Sequence, residues 1–206
     1  MFKNYIKNED GIVYQINKNL FDYTGAYNNY YKKIQDSTRY TSYLRLGYII
    51  GSIGHIPKSI LDVGYGTGAF LEACKSEIEF RYGHDISGWE VPTDCKFVEN
   101  IMENHYEVIT FFDSLEHMQD IEFVKDLKCD YVCISVPWCH YFDDDWFDNW
   151  KHRKPDEHLW HFNEESLKTF MKRMGYSIIN TCNLEDVTRI NNQEYSNILT
   201  GLFKKI

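Results

Sequence analysis

Four kinds of feature are missing from this sequence, and each absence removes a class of function. No Cys-x-x-Cys pair occurs among the cysteines at 74, 95, 129, 133, 139 and 182, and Cys129 and Cys133 sit on a strand-like stretch whose alternation does not offer zinc-finger geometry. These cysteines read as reduced, buried thiols of a cytoplasmic protein. No apolar run reaches the length of about 18 residues that a membrane span needs, and residues 1–10 alternate polar and apolar without the apolar core of a signal peptide. Repeats and low-complexity linkers are also absent, so 206 residues are expected to form one domain with a full core. Finally, positive charge is short: 22 Lys and Arg face 31 Asp and Glu, a net charge of -9. A field of that sign repels phosphate backbones, so a nucleic-acid partner is not expected, and without an apolar run of span length neither is a membrane.

What is present is organised around Ile60-Leu61-Asp62-Val63-Gly64-Tyr65-Gly66-Thr67-Gly68-Ala69-Phe70. An apolar run leads into three glycines spaced two apart and then into helical spacing, which predicts strand, tight loop and helix. Glycine tolerates positive φ and leaves no Cβ in a ligand's way, and a helix N-terminus favours an anionic group. Gly64-x-Gly66-x-x-Ala69 satisfies the permissive dinucleotide pattern. Asp62, two positions before the first glycine, points elsewhere, because a dinucleotide site has an apolar residue there. An acid at the end of the strand can orient the turn and reach a cationic ligand, directly or through water.

With Asp62 included, the stretch resembles motif I of the class I S-adenosylmethionine-dependent methyltransferases, which implies cofactor contacts at Asp62, Gly64, Tyr65, Gly66 and Gly68. Asp85, with Ile86 beside it, ends the next strand-like stretch 21 positions after Gly64. That is close to the offset of about 20 residues at which an acid meets ribose hydroxyls, and a place beyond a strand end is expected to leave the carboxylate unpaired before a ligand binds. After the third strand, at 96–99, the resemblance implies an adenine contact at Glu99 or Asn100.

A second signature follows the fourth strand, expected over 106–112. Glu107-Val108-Ile109-Thr110-Phe111-Phe112-Asp113-Ser114-Leu115-Glu116-His117 is similar to the strand-4 motif of the ubiquinone-biosynthesis-like and the type 11, 12 and 23 methyltransferase-domain families. The resemblance implies cofactor contacts at Phe112 and Asp113 and places His117 near the transferred methyl. A helix is expected over 115–127, and a fifth strand over 131–136 ends at Pro137. The Asn/Asp-Pro-Pro-aromatic motif of nucleic-acid amino-methyltransferases and the Pro-Cys nucleophile of cytosine C5 enzymes are both lacking.

Residues 138–162 hold four of the five Trp, four of the eight His and six carboxylates, with no clean period. This stretch reads as a substrate-side insertion, with Trp138, Tyr141, Trp146, Trp150 and His158 as acceptor-pocket candidates. Asp143, Asp144, Asp145, His140, His152 and His161 read as solvated loop residues rather than metal ligands, and no metal is expected. Residues 1–37 form an aromatic extension with Phe21, Tyr23, Tyr27, Tyr30 and Tyr31, read as a packing arm or a lid, ahead of a methyltransferase domain at 38–206. A helix over 38–53 should bury Tyr43, Leu46, Ile50 and Ile53, and a second should bury Phe70, Leu71, Cys74 and Ile78. Asn163 caps a third, with Leu167, Phe170, Met171 and Met174 inward, and strands over 176–183 and 197–203 close the chain.

The fold implied is α/β: a Rossmann-like, doubly wound sheet of about seven strands, mostly parallel with an antiparallel last strand and helices on both faces. The activity implied is methyl transfer from S-adenosylmethionine, leaving S-adenosylhomocysteine, to an oxygen or nitrogen of a small-molecule acceptor, with His117 and then His158 as candidate bases. The alternatives are an NAD-type oxidoreductase, a catalytically silent S-adenosylmethionine-binding protein, and a different S-adenosylmethionine chemistry on the same fold.

Overall fold

The computed structural model describes residues 4–19, 21–22, 35–189 and 193–206. Tyr23, Tyr27, Tyr30 and Tyr31 of the expected extension lie outside the described residues. Before that gap, β1 (Tyr5–Lys7) and β2 (Val13–Gln15) form an antiparallel hairpin. After it come α1 (Gln35–Ile53), β3 (Ser59–Val63), α2 (Ala69–Ala73), β4 (Phe80–His84), β5 (Lys96–Phe97), β6 (Tyr106–Phe112) and β7 (Cys129–Pro137). The chain closes with α3 (Asp144–Asn149), β8 (Trp160–His161), α4 (Glu164–Arg173), β9 (Tyr176–Cys182) and β10 (Ile198–Lys205).

The main sheet has seven strands in the order β5-β4-β3-β6-β7-β10-β9. The pairs among β5, β4, β3, β6 and β7 are parallel, and β10 runs antiparallel to both β7 and β9. The near-continuous apolar strands follow from burial on both faces. Along β3 and β6, Ile60 and Val108 face one core with Leu46 and Ile49 of α1, while Leu61, Val63, Ile109 and Phe111 face the other with Leu167 and Phe170 of α4. Strand order reverses between β3 and β6, and the crevice at the carboxyl ends of such strands is where a ligand is expected in an open α/β sheet.

Four elements differ from their sequence-based expectation. The inward side of α1 carries Thr41, Ser42 and Arg45 as well as Leu46 and Ile49, while Tyr43 is exposed, because the first half of this helix lines a cavity rather than a core. The helix after the glycines has five residues, though Phe70, Leu71, Cys74 and Ile78 are all buried as expected. The helix expected over 115–127 is instead two 3-10 turns, Leu115–His117 and Glu122–Asp126. The break comes at Met118, which is extended and whose carbonyl accepts the Trp160 indole N–H at 2.7 Å, and the second turn starts where the Asp120 carboxylate accepts the Glu122 N–H at 2.9 Å.

The fourth difference lies in residues 138–162. Asp143 caps α3 by accepting the Trp146 N–H at 2.7 Å, and β8 pairs with β2 to complete a separate three-stranded sheet, β1-β2-β8. That sheet and α3 share a small core of Tyr5, Val13, Cys139, Phe147 and Trp150. Arg173 at the end of α4 ties the hairpin down, donating to Asp10 at 2.5 Å and to Glu122 at 2.7 Å.

Candidate functional site

A cavity of about 580 Å³ opens at the carboxyl ends of β3, β4 and β6. Its floor is the glycine turn. Gly64 (φ 82°) lies so close to Ser114 that an added Cβ would come within 2.5 Å of the serine Cβ, and at Gly68 (φ 77°) it would come within 2.3 Å of Pro92. At Gly66 (φ 52°) it would meet nothing within 4 Å. Two of the glycines are therefore needed for packing, and the middle one presents bare backbone to the cavity.

Asp62 is buried beneath the turn, where it accepts the Thr110 hydroxyl at 2.7 Å. Burial, only partly offset by that hydrogen bond and by the Arg45 charge, pushes its pKa up to about 7. A carboxylate held this way gains from any cation brought next to it, and the ammonium of S-adenosylmethionine is such a cation. The donor set and the open face at Gly66 thus fit that cofactor.

Asp85 also lines the cavity, but it is not unpaired as expected. The chain turns directly after β4, and its carboxylate accepts the Gly66 N–H at 2.7 Å, the Ser87 N–H at 2.7 Å and the Ser87 hydroxyl. The acid therefore ties the glycine turn to the end of β4, as an Asx-type turn does. Ile86, 76% exposed, offers an apolar wall next to it. Tyr65 faces the same space and donates its hydroxyl to the Trp89 carbonyl at 2.5 Å. Glu99 and Asn100 are not brought to the cavity: both are exposed, and the Asn100 side chain is spent accepting the Met102 N–H at 3.0 Å.

At the end of β6, Phe112 packs edge-on against Phe70 with the Arg45 guanidinium 4.3 Å over its ring. Asp113, at φ 54°, accepts from Arg45 at 2.7 Å and from both terminal nitrogens of Arg189. Burial alone would raise the Asp113 pKa, but the Arg189 and Arg45 charges overcome it and hold the carboxyl well below the usual carboxylate range. Glu185, fully buried, accepts from Arg45 at 2.6 and 2.9 Å and from Arg189 at 2.8 Å. Sequence reasoning missed Arg45, Glu185 and Arg189. The only signal is an arginine amid the apolar spacing of α1, since its partner lies 140 positions on.

The far end of the cavity is formed by Glu116, His117 and His158, with His152 and Lys154 beside them. The His117 and His158 rings meet edge to face at 4.7 Å. The His158 Nδ1–H donates to the His152 carbonyl at 2.8 Å, and His117 hydrogen-bonds to the Glu157 backbone. Burial lowers the His117 pKa to about 4 and pushes His158 lower still, so both rings are neutral at neutral pH. Trp138, Tyr141, Trp146 and Trp150 do not line this cavity. Trp150 is buried in the small core of the second sheet, with Trp146 stacked on it at 5.3 Å; Trp138 stacks on His140, and Tyr141 donates to Asp144 at 2.5 Å. These aromatics pack where the insertion joins the fold, and the insertion reaches the cavity through His152, Lys154 and His158 instead.

The family model described as "Methyltransferase domain" matches residues 50–181. Among solved structures, magnesium protoporphyrin IX methyltransferase from Synechocystis PCC 6803 with bound S-adenosylhomocysteine superposes with a TM-score of 0.59 at 14% identity, covering 85% of this chain and 86% of that one. The same enzyme with bound S-adenosylmethionine gives 0.55 at 14% identity, covering 85% and 83%. An S-adenosylmethionine-dependent methyltransferase from Clostridium acetobutylicum gives 0.59 at 12% identity, covering 88% and 99%. No curated protein sequence matches the chain. Among the described residues no helix is long and apolar enough to cross a membrane.

Proposed function

This chain belongs to the methyltransferase-domain family, and from that premise we propose that it methylates an oxygen or nitrogen of a small-molecule acceptor, with S-adenosylmethionine as methyl donor. The observation that carries the reading is the single cavity running from the bare backbone of Gly66 and the buried Asp62 to His117 and His158. An NAD-type oxidoreductase is set aside by the family match. When bound, the cofactor supplies an electrophilic methyl on a sulfonium, which is already a strong leaving group.

The residues of the chain then have to bind, orient and exclude water. Asp62 receives the ammonium, and Gly64 and Gly68 hold the turn that lets the backbone at Gly66 approach the methionine part. Asp85 takes the ribose hydroxyls. Three donors already occupy its carboxylate, which has about four acceptor sites, so the ribose must displace the Ser87 hydroxyl, the most easily rotated of the three. Ile86 covers the adenine. Phe112 closes the cavity wall, and Asp113 acts through its backbone, because its carboxylate is committed to the two arginines. Positioning of this kind can supply about 7–11 kcal/mol of the barrier. His117, neutral and facing the acceptor end, takes the proton of an acceptor hydroxyl, with His158 as the second candidate. The net charge of -9 supports a small acceptor over nucleic acid. The six free cysteines support a reducing, cytoplasmic setting.

The reading is tested by supplying S-adenosylmethionine with a labelled methyl to the enzyme and a cell extract, then separating small molecules, protein and nucleic acid. Label in the small-molecule fraction supports it; label confined to nucleic acid or protein contradicts it. Once the acceptor is in hand, His117→Gln combined with His158→Gln is expected to lower kcat roughly 10²–10⁴-fold for a hydroxyl acceptor. Unchanged turnover would remove base catalysis from their role.

A further inference from the structure

Glu116 is 1% exposed, and neither of its carboxylate oxygens has a hydrogen-bond partner among the described residues. A buried carboxylate in that state costs several kcal/mol unless something neutralises it. The cations nearby are already matched: Lys154 lies 3.0 Å from Glu157, while Arg45 and Arg189 are divided between Asp113 and Glu185. What Glu116 does face is imidazole nitrogen. One oxygen of Glu116 and one ring nitrogen each from His117 and His158 all lie within 4.8 Å of one another, with His117 Nε2 3.8 Å from Glu116 Oε1.

We propose that Glu116, His117 and His158 bind one first-row divalent metal ion at the acceptor end of the cavity. Two ligands each about 2.1 Å from one ion stand at most about 4.2 Å apart, so a side-chain adjustment of under about 1 Å closes the set. The second shell is already built. His158 donates its Nδ1–H to the His152 carbonyl at 2.8 Å, which fixes the tautomer and leaves the Nε2 lone pair for a ligand.

Two imidazoles and one carboxylate suit Zn²⁺, Mn²⁺, Fe²⁺ or Co²⁺ rather than Mg²⁺, which prefers oxygen ligands only. Three protein ligands leave coordination positions open toward the cavity. If the methyltransferase reading holds, those positions select acceptors with a coordinating oxygen; the base role given to His117 and His158 above is then that of the metal-free protein, and in the metal-loaded protein both serve as ligands. The cluster differs from the Asp143–Asp145 stretch, whose side chains at 143 and 144 are used within the α3 turn.

The test is metal binding, which stands apart from methyl transfer. The full-length protein is stripped with chelator and titrated with Co²⁺, read by its visible absorption and by competition with Zn²⁺ and Mg²⁺. One equivalent of Co²⁺ is expected to bind, to be displaced by Zn²⁺ and to resist an equal concentration of Mg²⁺. Glu116→Gln and His158→Ala are each expected to weaken Co²⁺ binding by at least about 10–100-fold, the cost of losing even a second-shell partner. Glu116→Gln should fold, since it removes an unpartnered buried acid. In the unsubstituted protein, Co²⁺ should shift the imidazole proton resonances of His117 and His158, a readout that needs no variant. No saturable Co²⁺ binding, binding unchanged in both variants, or unshifted His117 and His158 resonances would overturn the proposal.

Discussion

At the scale of single residues, the glycine turn separates packing from ligand access. Gly64→Ala puts a Cβ 2.5 Å from that of Ser114 at φ 82°. It is expected to cost more than the roughly 1–3 kcal/mol of a non-glycine left-handed residue, lowering Tm by several degrees. Gly66→Ala meets no atom and is expected to cost about 1–2 kcal/mol, while weakening cofactor binding more than Gly64→Ala does per degree of Tm lost. Calorimetric melting beside S-adenosylhomocysteine titration of the two variants checks this, and equal losses on both measures would refute the division of labour.

Asp62 yields a pH prediction at the same scale. Its native pKa of about 7 stands above the ordinary value of 3.8, so between those limits the native state holds a proton that the unfolded state has released. The stability contributed by this group is full below about pH 3.8 and is lost as pH rises through about 7. Asp62→Asn should therefore gain stability relative to the unsubstituted protein as pH rises across that window, as seen by melting at several pH values. A bound ammonium favours the ionised acid, so S-adenosylhomocysteine affinity should rise toward pH 7 in the unsubstituted protein and stay flat in Asp62→Asn. A parallel pH course in the two proteins would mean that Asp62 does not meet the ammonium.

At the scale of elements, the network of Arg45, Asp113, Glu185 and Arg189 joins α1, the end of β6 and the segment before β10. Glu185→Gln leaves a buried guanidinium without half of its compensation. A loss of about 3–5 kcal/mol is expected, or roughly 6–20 °C in Tm; a change of under about 1 °C would show the network to be dispensable. The pairing of these four residues was not legible in the sequence, because no periodicity marks partners 140 residues apart, and the 183–197 stretch reads simply as polar. The elements that could be read were those with strong patterns: the buried strands, and α4 with its Asn163 cap, where Ser166 also returns a bond to the Asn163 N–H at 2.9 Å. The helix expected over 115–127 failed for a tertiary reason, the pull of Trp160 on the Met118 carbonyl, which local spacing does not encode.

At the scale of the whole molecule, the sequence signatures and the fold converge on the same end of the same sheet. Asp62, Gly64, Gly66, Asp85, Asp113, Glu116 and His117 come together around one cavity, though they span more than 50 positions of chain. The aromatic insertion was legible as an insertion but not in its role. Composition marks 138–162 as unusual, yet only the structure shows that Trp146 and Trp150 serve the second core, that Trp138 and Trp160 pack against the main one, and that His158 serves the cavity. The central claim, that this cavity is an S-adenosylmethionine site, is tested most directly by thermal unfolding with S-adenosylmethionine, S-adenosylhomocysteine and NAD side by side. At 100 times its dissociation constant a ligand adds about 2.7 kcal/mol, or roughly 5–10 °C for a chain of this size. The account predicts that shift with both sulfur compounds and none with NAD; a shift with NAD alone, or with none of the three, would contradict it.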